Sequence, residues 1–336
     1  MKWFTEALTQ LLHCPPKYNI THQELLRGSG LHTRKKPYKS FVMPAKKFNG
    51  QELDSSWSVC LLYTVSHSHN CRVRLRSCCN ATGILYLTKR NTYMNQTILY
   101  ETSAKLSHKV DSTLYSMLPE TLPWYASNLG RCAVVGSGGI LKNSKCGAEI
   151  DSTDFVIRFN LAPLKESDVG MKSDLMTVNP SQIRKDYKNF KEDPRPLVQR
   201  LSVYRNTSLL TAAFSYTINT ALSIDLHKAL RPQHKVVFFS PSYLKELDQF
   251  WKRHGLKAVR LSSGFILISV ALELCDHVHI YGFWPFSTNL NQKRISHHYY
   301  DNIGPKKGVH AMPEEYLHLL QLHSQGVLTM HLENCV

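Results

Sequence analysis

The chain has 336 residues, 43% hydrophobic and 20% charged, which excludes a disordered or collagen-like polypeptide and allows one large or two modest domains with a buried core. Lys and Arg number 41 against 25 Asp and Glu, a formal net charge of +16, so an anionic partner is expected. Nucleic acid, phosphorylated small molecules, acidic lipids and membrane surfaces all meet that description, and composition does not choose among them.

Residues 1 to about 115 read as a stem plus the first elements of a fold. The opening MKWFTEALTQLLHC lacks the apolar run of a signal peptide or the roughly 20 apolar residues of a spanning helix. The next apolar run, Val59 to Val65, is too short and contains a threonine. The basic stretch from His32 to Pro37, with Tyr38 and Phe41 close behind, reads as a solvated loop rather than a polyanion site. Asn-x-Ser/Thr sequons at Asn19, Asn80, Asn95 and Asn206 together point to a lumenal or extracellular chain. The cysteines at 14, 60, 71, 78, 79, 132, 146, 275 and 335 form no CxxC or CxxH, which excludes zinc-ribbon and thioredoxin-like motifs. Scattered in this way, they read as disulfides.

From Arg131 the pattern becomes regular. Cys132 to Val135 is a short apolar strand running into Gly136-Ser-Gly-Gly, and Asp154 to Phe159 is a second strand. Strands are expected again at Asp174 to Val178, Ser208 to Ala213, Lys235 to Phe239 and His277 to Phe283, with helices at Asp186 to Phe190, Tyr243 to His254, Ser263 to Cys275 and Pro313 to about His323. Such alternation predicts an α/β domain with a mostly parallel sheet flanked by helices, whose ligands sit at the carboxyl ends of the strands.

Three places could carry chemistry. Gly136-Ser-Gly-Gly is neither GxGxxG nor GxxxxGK[ST], so it reads equally as a tight turn or as a nucleotide-contacting loop. Arg260-Leu-Ser-Ser-Gly264 precedes the apolar helix, where Ser262, Ser263 and backbone N–H groups could meet a phosphate, or a serine could simply cap the helix. Late in the chain come His297-His-Tyr-Tyr-Asp301 and His310-Ala-Met-Pro-Glu-Glu315. His310 falls in the loop before a helix begun by Pro313, a good position for a general base, since histidine titrates near pH 6.5 in water. No HExxH or Asp-x-Asp occurs, so no metal is expected.

These residues carry a resemblance. Cys132-Ala-Val-Val-Gly-Ser-Gly-Gly-Ile-Leu-Lys-Asn-Ser-Lys-Cys146-Gly through Arg158-Phe-Asn160 resembles the large sialylmotif of animal sialyltransferases. Arg260 through Cys275 to Tyr281-Gly-Phe-Trp284-Pro-Phe resembles the small motif, His298-Tyr-Tyr-Asp301 the third motif, and His310 with Glu315 the very small motif. Gly-Gly-Ile-Leu-Lys-Asn, Gly-Phe-Trp-Pro-Phe and Ser-His-His-Tyr-Tyr-Asp-Asn are similar to the alpha-2,8-sialyltransferases, the ganglioside and oligosialic-acid synthases above all.

The resemblance implies a single Rossmann-like domain, the sialyltransferase variant of the glycosyltransferase A-type fold, over 76–336, with a motif core at 131–336 and residues 1–75 as stem. It implies transfer from CMP-sialic acid to the 8-hydroxyl of a terminal sialic acid on a glycolipid or glycoprotein glycan, with inversion and without metal or other cofactor. His310 would be the base. The turn with Ser137, together with Asn160, Ser262, Ser263 and Gly264, would meet the donor, and Trp284 and His298 would complete the pocket. Disulfides would pair Cys132 with Cys275 and Cys146 with Cys335. A Golgi membrane location with a lumenal catalytic domain is implied too, although the expected anchor is not visible here. Nucleic acid is then not a partner. Two residues depart from the family pattern: Ser137 stands where asparagine is usual, and Phe159 where cysteine is often found. The shorter Ser137 leaves one alternative of another class, a catalytically impaired protein that binds CMP or sialoglycans.

Overall fold

Helix α1 (Ser66–Cys79) opens the described part of this computed structural model, which comprises residues 66–122, 124, 128–204, 206–304 and 310–335 and belongs to one unit, Ser66–Val336. Asn80 ends that helix in the left-handed region, φ 54°, and its side chain accepts from the N–H of Gly83 to start the short α2 (Ala81–Ile84). A small antiparallel hairpin follows, β1 (Thr97–Leu99) with β2 (Ser107–Lys109), then α3 (Ser112–Met117), capped by Asp111. Most of the stem, with Cys14, Asn19, the basic stretch from His32, Cys60 and the apolar run from Val59 to Val65, lies outside the described residues.

The central sheet starts at β3 (Arg131–Val135) and continues through α4 (Gly147–Asp151), β4 (Phe155–Phe159), α5 (Glu166–Val169), β5 (Leu175–Thr177), α6 (Pro180–Asp186) and α7 (Arg195–Leu201). Then come β6 (Ser208–Thr211), α8 (Thr217–Leu230), β7 (Lys235–Phe238), α9 (Pro241–Arg253), α10 (Ser263–Leu274), β8 (His277–Tyr281), α11 (Met312–Ser324) and β9 (Thr329–His331). The seven strands are all parallel, in the order β7-β6-β5-β4-β3-β8-β9. Helices cover the sheet, so inner strands such as β3 and β5 are buried along nearly their whole length and are apolar on both faces. From β3 the chain winds outward through β4 to β7, then returns to the other side of β3 at β8 and moves the opposite way to β9. The crevice of such a reversal opens at the carboxyl ends of β3 and β8, which lead directly into Gly136 and Gly282.

One expected helix is displaced. Asp186 to Phe190 is a turn, and the helix is instead α6, ending at Asp186. Pro180 occupies its first turn, where a fixed φ and a missing N–H cost nothing, and Ile183 packs into the core. Helix α8 escaped the hydrophobic pattern because Asn219, Thr220, Ser223 and His227 share its buried face with Leu226 and Leu230. Edge strand β9 escaped because Met330 is its one buried residue.

Two disulfides fasten the sheet. Cys132 at the start of β3 bonds Cys275, just past α10, with Cα atoms 6.0 Å apart. Cys146 before α4 bonds Cys335, Cα–Cα 4.8 Å. Both are the pairings implied by the resemblance. Asn80, Asn95 and Asn206 are exposed, and among the described residues no helix is long and apolar enough to cross a membrane.

Candidate active site

Strand β3 delivers its chain into a turn with no room for side chains. Gly136 N–H donates to the Tyr281 carbonyl at 2.8 Å, Gly138 N–H to Gly282 at 2.9 Å and Gly139 N–H to His297 at 3.0 Å. A Cβ on Gly139 would overlap the Ser296 carbonyl, so glycine is required there by close approach rather than by φ. Ser137 is half-buried, and its carbonyl accepts from Tyr299 N–H at 3.0 Å. The first and third motifs are thus stitched together by backbone.

Asn160 follows β4 with φ 50°, a conformation asparagine tolerates better than most residues. Its Oδ1 accepts from Asn179 N–H at 3.2 Å and its carbonyl from Gln182 Nε2 at 2.7 Å, leaving its own Nδ2 to donate to a ligand. Asn179 Nδ2 reaches on to Ser263 Oγ at 3.2 Å. That chain joins the end of β4 to the start of α10.

At α10 the two serines divide the work. Ser262 is the N-cap: its Oγ accepts from Phe265 N–H at 3.1 Å and donates to Glu315 Oε2 at 2.5 Å, while its N–H donates to Glu315 Oε1 at 2.7 Å. Its hydroxyl is committed to protein. The Ser263 hydroxyl and the N–H groups of Ser263 and Gly264 are the parts of this terminus free to face an anion, with Gly264 packed under Phe283. Burial pushes the Glu315 carboxyl up, against the opposing pull of the Ser262 bonds and of His310.

His310 is exposed, with Nδ1 3.0 Å from the Arg260 carbonyl oxygen. A carbonyl only accepts, so Nδ1 carries a hydrogen, and in the neutral ring the lone pair is then on Nε2, the tautomer a base requires. His298 is half-buried, its Nδ1 2.7 Å from Asp301 Oδ1 and its ring stacked on Tyr300 at 5.1 Å. Partial burial raises the Asp301 carboxyl, but bonds from Ile303 N–H and His298 outweigh it and hold the group below the usual carboxylate range. Trp284 is buried between Phe286 and Tyr316, and its indole N–H is spent on the Thr288 carbonyl at 2.7 Å. It therefore has no polar contact left to offer a ligand.

Two residues here carried no signal in sequence: Glu101, which grips the Arg260 guanidinium, and Asn179, which bridges Asn160 and Ser263. Each depends on contacts between distant segments or on rotamers. One further cluster, Glu149, His331 and Cys335, has metal-like spacing, but the Cys335 sulfur is already bonded to Cys146. Its thiolate is not available.

Comparison with known proteins bears on this site as a whole. Residues 86–327 match the family model for glycosyltransferase family 29 (sialyltransferase). Alpha-2,8-sialyltransferase 8E of Homo sapiens is 42% identical over 278 residues, covering 81% of this chain and 74% of that protein. Alpha-2,8-sialyltransferase 8F of Mus musculus is 43% identical over 272 residues, 79% of this chain and 68% of its own. The alpha-N-acetylneuraminide alpha-2,8-sialyltransferase of Bos taurus is 42% identical over 270 residues, 79% and 76% of the two chains. The crystal structure of a mammalian sialyltransferase superposes with a TM-score of 0.56 at 23% identity, over 77% of this chain and 94% of that one, which speaks for the fold. A match that takes in the glycine turn, the α10 terminus and His310's helix, with relatives this similar, places the chain in glycosyltransferase family 29, the sialyltransferases.

Proposed function

We propose that this sialyltransferase moves sialic acid from CMP-sialic acid to the 8-hydroxyl of a terminal sialic acid on a glycolipid or glycoprotein glycan. The relatives named alpha-2,8-sialyltransferases, 42–43% identical, support the linkage. His310 is the base, and the observation that carries this is its Nδ1 against the Arg260 carbonyl, which in the neutral ring puts the lone pair on Nε2. The acceptor oxygen attacks the anomeric carbon as the bond from that carbon to the donor phosphate breaks. Its proton passes to His310 Nε2, and CMP departs with the bonding electron pair, so configuration inverts. Ser263 and the N–H groups of α10 would receive the growing phosphate charge, with His298 beside them. Asn160 Nδ2 and the turn at Ser137 would hold the nucleotide, with Ser262 acting through its cap. In this reading no metal or other cofactor takes part, the enzyme works in the Golgi lumen in association with the membrane, and nucleic acid is not a partner.

Assay with CMP-sialic acid and gangliosides or sialylated N-glycans in EDTA, with product linkage read by NMR, tests the reaction. His310→Ala is expected to lower transfer by at least roughly 100-fold without moving the melting temperature. Full transfer in that variant would sink the base assignment. Products linked elsewhere than the 8-hydroxyl would sink the linkage.

A further inference from the structure

The segment whose carbonyl meets His310 is fixed by an ion pair to a residue outside all four motifs. Glu101, just after β1, accepts from Arg260 Nε at 2.9 Å and from Arg260 Nη2 at 2.8 Å, a two-point carboxylate–guanidinium fork. The Glu101 side chain is 9% exposed and that of Arg260 24%, so water competes little for the pair. Ser215 Oγ sits in the same knot, donating to Glu101 and accepting from Arg260 at 2.9 Å, while the Tyr216 ring lies 5.4 Å from the guanidinium carbon. Glu101 is fixed in turn: its N–H donates to the Phe214 carbonyl at 2.9 Å, and Thr102 Oγ1 donates to the Ser215 carbonyl at 2.7 Å. The hairpin is thereby stapled to the loop after β6, and both grip the Arg260 side chain.

The backbone of the same residue does something different. Its carbonyl oxygen accepts from His310 Nδ1, and two residues on, Ser262 is clamped by Glu315 from His310's own helix. Segment 260–262 is therefore held at one end by Glu101 and at the other by Glu315, with the histidine contact between them.

We propose that Glu101 and Arg260 are positioning residues for the transfer reaction: their fork aims the Arg260 carbonyl and so selects the Nδ1–H tautomer of His310. This rests on the reading of His310 as the base. Free imidazole in water has no such constraint, so loss of the fork lets His310 take the other tautomer, in which Nε2 carries a proton and cannot accept one. Donor binding, which draws on the glycine turn, Asn160 and Ser263, does not pass through the fork.

The test uses the whole protein with isotope-labelled histidine, His310 being assigned by the signal lost in His310→Ala. Nitrogen NMR reads its tautomer, and steady-state kinetics read transfer, in the native chain and in Glu101→Gln. The native chain is expected to show Nδ1–H at His310, and Glu101→Gln a mixture of tautomers. Its kcat should fall roughly 10- to 100-fold, with the KM for CMP-sialic acid within about 3-fold. Arg260→Lys, which keeps the charge but loses the fork, is the second variant, serves if Glu101→Gln does not fold, and is expected to fall between. An Nε2–H tautomer in the native chain, or an unchanged tautomer and kcat in the folded variants, would overturn the inference. A tautomer that shifts as stated while His310→Ala stays active would uphold the positioning and discard the base.

Discussion

At residue scale, single atoms decide what a histidine or a serine can do. His310 and His298 each present Nδ1 to an oxygen, but Arg260 offers a neutral carbonyl and Asp301 a carboxylate. The first leaves a lone pair on Nε2. The second points the His298 ring at a carboxylate, which fixes its orientation beside the third motif. Ser137 is the residue where this chain is short of reach. A longer amide there can donate and accept at once, so Ser137→Asn is expected to add about 1 kcal/mol of donor binding, seen as a KM for CMP-sialic acid lower by roughly 5-fold. An unchanged or higher KM would show that Ser137 does not face the donor.

At the scale of elements, the site depends on how α10 begins. Its twelve residues are nearly all buried from Phe265 onward, so the helix runs through the core and its N-terminus has nowhere to move. Ser262 closes that terminus and neutralises the Glu315 hydrogen-bonding demand in one stroke. Ser262→Ala removes the cap, about 1 kcal/mol, and leaves a buried carboxyl oxygen without its hydroxyl partner, about 1–3 kcal/mol more. A loss of about 2–4 kcal/mol in denaturant unfolding is therefore expected, and Ser262→Thr should recover most of it. If alanine costs under about 0.5 kcal/mol, Glu315 is satisfied by some other route.

For the molecule as a whole, a buried carboxyl ties the N-terminal helices to α9 and α10. Glu273, in the last turn of α10, accepts from Ala81 N–H at 2.7 Å and Tyr243 O–H at 2.8 Å, while Arg76 Nε donates to its backbone carbonyl at 2.7 Å. Burial raises its carboxyl from 4.5 to about 7, outweighing those bonds. Between these two values the folded chain keeps a proton that the unfolded chain has released, so this group's contribution to stability falls as pH rises, by about 3 kcal/mol across the window. His331 works the other way: burial holds it neutral down to about 4, so its contribution rises with pH up to 6.5. Glu273→Gln leaves the second effect intact, and its melting temperature relative to the native chain should climb from about pH 5 to about pH 8. A constant difference would mean that Glu273 is not protonated in the fold.

Much of this protein was legible in its residues because the signals were local. Glycine after an apolar strand, Ser262 before an apolar run and Pro313 before two glutamates each follow from backbone geometry over a few positions, and motif order named the sialyltransferase family. The fold class followed from alternation alone. Helix α8 did not, because its buried face is polar, nor did the displacement of α6. The fork between Glu101 and Arg260 spans 159 positions, and no periodicity or composition links two charges so far apart. Whether His310 carries its proton on Nδ1 or Nε2 is likewise invisible to a one-dimensional pattern. Sequence by itself determined which chemical groups the chain brings to the reaction; only the tertiary structure decided which atoms face one another, because hydrogen-bond direction and desolvation arise from neighbours that the fold supplies.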